Sequence, residues 1–102
     1  MEIVNAIAKV RFGSAKAQRI GLCQSAPLSA ELICMEAGQK FKVDSGQWLY
    51  YVIAGSAALT AGAAAHTLAS GQMAMTAQDE PHTLACAGET RLICLATCLA
   101  KS

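Results

Sequence analysis

A chain of 102 residues makes one domain, with a core that is feasible but thin. Hydrophobic residues make up 54% and charged residues 15%; soluble domains usually carry about a quarter charged residues, so two copies are expected to pair as a homodimer rather than leave an apolar patch exposed. The net charge of +1 and the scattered basic residues give no phosphate-binding stripe, which excludes nucleic acid as a main partner, and no apolar run approaches the ~20 residues that cross a bilayer.

The first residues carry an acid at Glu2 and only a short apolar run, a poor match to a signal peptide. Five cysteines without a Cys-x-x-Cys pair argue for reduced thiols, a cytoplasmic location and no zinc ribbon.

In chain order, residues 8–12 alternate polar and apolar, as a half-buried edge strand would. Residues 19–23 read as a second short strand and 25–27 as a turn; the alternative for residues 1–27 is a loosely attached arm. Residues 29–36 have an apolar centre that predicts burial on both faces. In the next segment Phe41 and Val43 share one face, and Lys42 and Asp44 the other. Residues 47–54, rich in Trp, Tyr, Val and Ile, form the most strand-like segment. Gly55 ends it. Residues 56–60 and 63–68 read as a hairpin across Ala61-Gly62; alanine there favours helix, but glycine at 55, 62 and 71 recurs too often for one. Residues 72–76 form a short strand, in which Met73 and Met75 read as core. A loop at 77–81 follows, then a last hairpin of 82–86 and 91–98. About eight to ten short strands with turns between them predict an all-β sandwich or barrel.

The residues then resemble a family. Residues 32–39 (LICMEAGQ), 49–55 (LYYVIAG) and 68–71 (LASG), with Pro81-His82, are similar to a small single-domain cupin, over residues 28–99. The resemblance implies a cupin-type double-stranded β-helix, a jelly-roll barrel that is often dimeric. The family's second motif is a glycine, five residues, proline, one residue, glycine, two residues, histidine, three residues, asparagine. Gly71 and His82 fall on it, while Ala77, Asp79 and Cys86 replace the proline, second glycine and asparagine. The first motif supplies His-x-His and a glutamate. Counted forward from Gly38, Asp44 and Gly46 stand at the histidines; counted back from Gly55, Lys42 and Asp44 stand there and Trp48 takes the glutamate position. The family's metal sites use three histidines and one glutamate; this chain matches one histidine.

His82 is therefore the leading candidate, as a metal ligand, a hydrogen-bonding group in a pocket, or a cap on the barrel mouth. If His82 points inward, Leu84 and Cys86 do too. Imidazole with thiolate is zinc or copper chemistry, and Asp44 would be the third ligand. Lys42 and Asp44 read as an exposed ion pair or, pointing inward, as polar groups in the pocket. Trp48 and Tyr50 share one parity and Leu49, Tyr51 and Ile53 the other, one set lining the barrel and the other packing outward, at a dimer interface; the register that the resemblance implies turns Trp48 and Tyr50 inward, to fill volume or to stack on a ligand. His66 reads as a surface histidine, and Cys34, Cys94 and Cys98 as buried hydrophobes.

Two readings follow. One is a metal-free, non-catalytic barrel that binds a small molecule through His82, Cys86, Trp48, Tyr50, Lys42 and Asp44. The other is an atypical metalloenzyme, of dioxygenase or isomerase type, that holds a divalent transition metal with His82, Cys86 and Asp44.

Overall fold

The computed structural model describes residues 1–100. Nine strands run in chain order: β1 (Gln18–Ser25), β2 (Leu28–Met35), β3 (Lys40–Val43), β4 (Gln47–Ala54), β5 (Ser56–Ala61), β6 (Ala64–Ala69), β7 (Met73–Met75), β8 (His82–Cys86) and β9 (Leu92–Leu99). They form two antiparallel sheets, ordered β1-β2-β9-β4-β7 and β3-β8-β5-β6. No helix among the described residues is long and apolar enough to cross a membrane.

The sheets face each other across one core. On β4, Trp48, Tyr50 and Val52 turn inward; on β9, Leu92, Cys94, Ala96 and Cys98; on β8, His82, Leu84 and Cys86. Alternation of this kind is what a strand with one buried face requires. The end of β2 departs from it, with Leu32, Ile33, Cys34 and Met35 all buried. Ile33 and Met35 enter the main core; Leu32 and Cys34 lie on the outer face, beneath Val10 and Phe12.

That cover corrects the reading of the N-terminal segment. Residues 8–12 are no strand: a single 3-10 turn spans Ile7–Lys9, and irregular chain with a bend at residues 14–16 leads from it to β1. Phe12 lies 4.6 Å beneath the Arg91 guanidinium, and the Gln39 amide donates a 2.6 Å hydrogen bond to the Gly13 carbonyl. The segment is attached by side chains rather than by a ladder. β1 pairs with β2 over its length, so the strand expected at residues 19–23 is present and runs from Gln18 to Ser25.

Two further expectations are corrected. β8 and β9 do not form a hairpin. β8 pairs with β3 and β5, and β9 lies between β2 and β4, so residues 87–91 carry the chain from one sheet to the other. Met73 and Met75 are not core. The register sets Ala74 opposite inward-facing Tyr50, and Met75 and Met73 opposite Leu49 and Tyr51. Cross-strand partners share a face, so both methionines fall on the outer face of a three-residue edge strand.

Gly55 marks the step from β4 to β5. Its φ is +83°, and a Cβ there would lie 2.4 Å from the Arg91 carbonyl oxygen. Only glycine meets both conditions.

The two open sides of the barrel differ. Between β1 and β3, the Arg19 guanidinium sits 4.4 Å over the Phe41 ring and 5.6 Å from the Trp48 ring, held at 2.7 Å by Glu31. Between β6 and β7 the sheets remain apart, and a cavity opens there.

Candidate functional site

The cavity between β6 and β7 measures about 490 Å³, within the range of small-molecule sites. Leu59, Leu68 and the two methionines supply apolar wall; Thr76, Glu80, His66 and His82 supply polar groups. No lysine or arginine borders it among the described residues.

His82 begins β8 and is only 4% exposed. Its Nδ1 lies 2.7 Å from the Glu80 carbonyl, and its Nε2 lies 2.6 Å from the Tyr50 hydroxyl. A carbonyl can only accept, so Nδ1 carries the proton and donates to Glu80. In that tautomer of the neutral ring, Nε2 offers a lone pair and the Tyr50 hydroxyl donates to it. Burial pushes the Tyr50 phenol well up, with the neighbouring Cys94 adding to the shift and Arg19 opposing it. The phenol thus stays a donor at neutral pH. No buried side-chain nitrogen or oxygen lacks a partner among the described residues.

Behind the pair stands an aromatic column. The Trp48 and Tyr50 rings stack with centroids 5.7 Å apart and planes 9° apart, and Tyr50 meets the His82 ring edge-on at 5.5 Å. The Trp48 indole N–H donates to the Ser45 carbonyl at 2.9 Å. Both aromatics face inward, as the register implied by the resemblance has it. They fill the barrel and do not border the cavity.

The other predicted site residues lie elsewhere. Cys86 is buried on the same face as His82, but four residues along a strand is ~13 Å. Its thiol donates to the carbonyls of Thr90 and Gly88, at 3.3 and 3.5 Å. Lys42 and Asp44 are exposed and flank the inward-facing Val43, on the parity that looks away from the core. No ion pair joins them among the described residues, where the salt bridges are Arg19–Glu31 and Arg91–Glu36. His82, Cys86 and Asp44 therefore do not converge, and no group of three or more His, Cys, Asp or Glu among the described residues is placed to hold a metal ion. The donor set does not fit the metal that the resemblance implies, and both ring nitrogens of His82 are already engaged.

Sequence reasoning missed the walls of the cavity. His66, though exposed, lies opposite inward-facing Leu59 and so on the inner parity of β6. Glu80 was read only as part of a loop; its Oε1 accepts from the Ala77 N–H at 2.9 Å. Thr76, whose hydroxyl accepts from the Trp48 N–H at 3.0 Å, gave no sequence signal.

No protein-family model matches the chain, and no curated protein is similar to it by sequence. Solved structures are similar to it in fold. TT1209 from Thermus thermophilus is 23% identical with a TM-score of 0.90, covering 100% of both chains. An RmlC-like cupin protein from Desulfovibrio desulfuricans is 21% identical with a TM-score of 0.83, over 97% of this chain and 96% of that one. An uncharacterized conserved protein with a double-stranded β-helix domain from Klebsiella pneumoniae is 18% identical with a TM-score of 0.85, over 98% and 90%. Together with the two facing antiparallel sheets, these likenesses identify the chain's fold as the double-stranded β-helix of the cupins.

Proposed function

We propose that the chain is a metal-free binding barrel. It takes a small, largely apolar, neutral or cationic molecule into the cavity between β6 and β7 and carries out no catalysis. The observation that carries this reading is the state of His82: its ring reaches the cavity while Glu80 and Tyr50 occupy both of its nitrogens. A histidine held this way is a fixed polar edge at the base of an apolar pocket. Its Nε2 is open to a metal only if the Tyr50 bond breaks, and among the described residues no group of three or more His, Cys, Asp or Glu is placed to repay that loss. The choice of ligand follows from the walls. With no Lys or Arg at the rim and Glu80 beside it, a phosphate or carboxylate would lose its hydration without gaining a Lys or Arg partner. Thioether and leucine walls suit aliphatic or aromatic surface.

The test is a thermal-shift and NMR screen of uncharged and cationic small molecules on the wild type and on Ala61→Phe, which places a ring in the cavity. Binders should raise the wild-type melting temperature, shift the amides of residues 61, 73–76 and 82, and lose affinity in the variant. Binders whose shifts map elsewhere, or that bind Ala61→Phe equally well, would overturn the reading.

A further inference from the structure

We propose that the ligand of the cavity is an extended peptide, which adds to the free edge of β6 as a further strand and lowers alternate side chains between β6 and β7. This ligand class rests on the binding reading above. A strand can be added only where the fold leaves main-chain groups unpaired, and the hydrogen bonds of β6 show where that is. β6 has β5 on one side and no strand on the other. The Ala69 N–H donates to Gln72 Oε1 at 2.8 Å, and the Ala69 carbonyl accepts from the Gln72 N–H at 3.0 Å. Ala69 therefore turns its main-chain groups away from β5. This direction alternates along an antiparallel strand, so Thr67 and Ala65 turn theirs outward too, and neither finds a partner there among the described residues. On the opposite rim, the Gln72 carbonyl accepts from the Val52 N–H and the Thr76 N–H donates to the Trp48 carbonyl. Both residues thus face β4, and by the same alternation the main-chain groups of Met73 and Met75 face out of β7.

The edges of the two sheets are guarded unequally. Proteins blunt an exposed edge with charge, proline or a bulge. β1 carries Arg19 and a register shift between Gly21 and Cys23. β3 carries Lys40 and Lys42, and Arg19 over Phe41 and Trp48 closes the seam between β1 and β3. β6 (AAHTLA) and β7 (MAM) hold no Lys, Arg, Asp, Glu or Pro, and β6 runs against β5 without a register shift. The two unguarded edges are the two that flank the cavity.

The walls choose the side chains. A strand laid on β6 points every second residue inward, onto Leu59, Leu68 and the two methionines, with Glu80 among the lining groups and no Lys or Arg. The inward residues are therefore aliphatic or basic. A lysine lays its methylenes on the apolar wall and turns its ammonium toward the Glu80 carboxylate; an inward glutamate would meet that carboxylate instead.

The probes are capped hexapeptides that alternate Thr with Leu, Lys or Glu, titrated into the full chain and read by NMR shifts and amide hydrogen exchange. In the free protein the Ala65 and Thr67 amides should exchange faster than those of His66 and Leu68, which point to β5. The Leu and Lys peptides should slow exchange at Ala65 and Thr67, and the Glu peptide should bind roughly ten-fold more weakly or not at all. Ala65→Pro removes an N–H that β5 does not use, at a residue that does not border the cavity and on an edge strand, where proline is tolerated. It should weaken the peptides by roughly ten-fold or more, the worth of about one hydrogen bond, and leave small molecules from the screen bound as before. If that variant fails to fold, methylation of the peptide amides one at a time replaces it: every second one should cost affinity and the others none. Peptides that do not bind, or that bind regardless of the proline and of every methylation, would overturn the proposal. So would Ala65 and Thr67 amides that become protected without peptide as protein concentration rises, since a second copy would then be the occupant. Small molecules that enter the cavity where no peptide does would refute this inference alone; a cavity that takes neither would refute the binding reading with it.

Discussion

Tyr50→Phe isolates the bond that defines the site. The substitution keeps the ring, its stack on Trp48 and its burial, and removes one oxygen. What it takes from the protein is the donor 2.6 Å from His82 Nε2. A buried acceptor left without a partner costs about 1–3 kcal/mol. His82 borders the cavity, so water can reach Nε2 and recover part of this. The expected loss is therefore about 1–2 kcal/mol, or a fall of roughly 4–16 °C in melting temperature for a domain of this size. Urea denaturation gives the first number. Nitrogen-15 NMR of the imidazole gives the second observable: Nδ1 protonated in both proteins, with the Nε2 resonance moving in the variant. Loss of under about 0.5 kcal/mol together with an unmoved Nε2 resonance would refute the assignment of Tyr50 as its donor.

Other substitutions test the frame around the site. Leu84→Ala removes a fully buried side chain from the inner face of β8 and should cost about 2–5 kcal/mol in urea denaturation. Gly55→Ala should destabilise more than Gly62→Ala: both positions have positive φ, but only at Gly55 does the new Cβ meet backbone, 2.4 Å from the Arg91 oxygen. With the left-handed penalty alone at about 1–2 kcal/mol, equal melting temperatures for the two variants would contradict the packing described. In native protein, exposed Cys23 should react quickly with a thiol reagent, and Cys34, Cys94 and Cys98 only as the chain opens. Stability should also fall in alkali. Burial raises the Cys94 thiol from 9.0 to about 12. Between those pH values the unfolded chain releases a proton that the folded one keeps, and folding loses up to about 1.4 kcal/mol per pH unit from this group. Tyr50 is raised as well and acts in the same direction. A melting temperature that is flat from pH 9 to pH 12 would argue against the burial of both.

How far the sequence could be read depended on how local the signal was. β4 was legible to both ends, because Gly46 and Gly55 bracket a run of Trp, Tyr, Val and Ile. Parity put Trp48 and Tyr50 on one face, and the family register said which. What sequence could not give was partnership. Tyr50 and His82 are 32 residues apart, and only the stacking of β4 over β8 brings hydroxyl and imidazole together. The missed crossing from β8 to β9 has the same origin, since strands adjacent in sequence need not be adjacent in a sheet. Met73 and Met75 show it most plainly: alternation put them on one face, and only the register against β4 says which. Family spacing found His82 but misjudged its companions. The walls of the cavity come from the edge strands β6 and β7 and the loop after them, not from β3 or the far end of β8.

The central claim is that His82 is a polar fixture of a metal-free barrel. Elemental analysis of untagged protein, purified without chelator beside a His82→Ala control, tests it most directly. The account predicts no zinc, iron, nickel, copper or manganese near one equivalent in either protein. Close to one equivalent in the wild type, absent from His82→Ala, would contradict it and make His82 Nε2 a metal ligand rather than the partner of Tyr50.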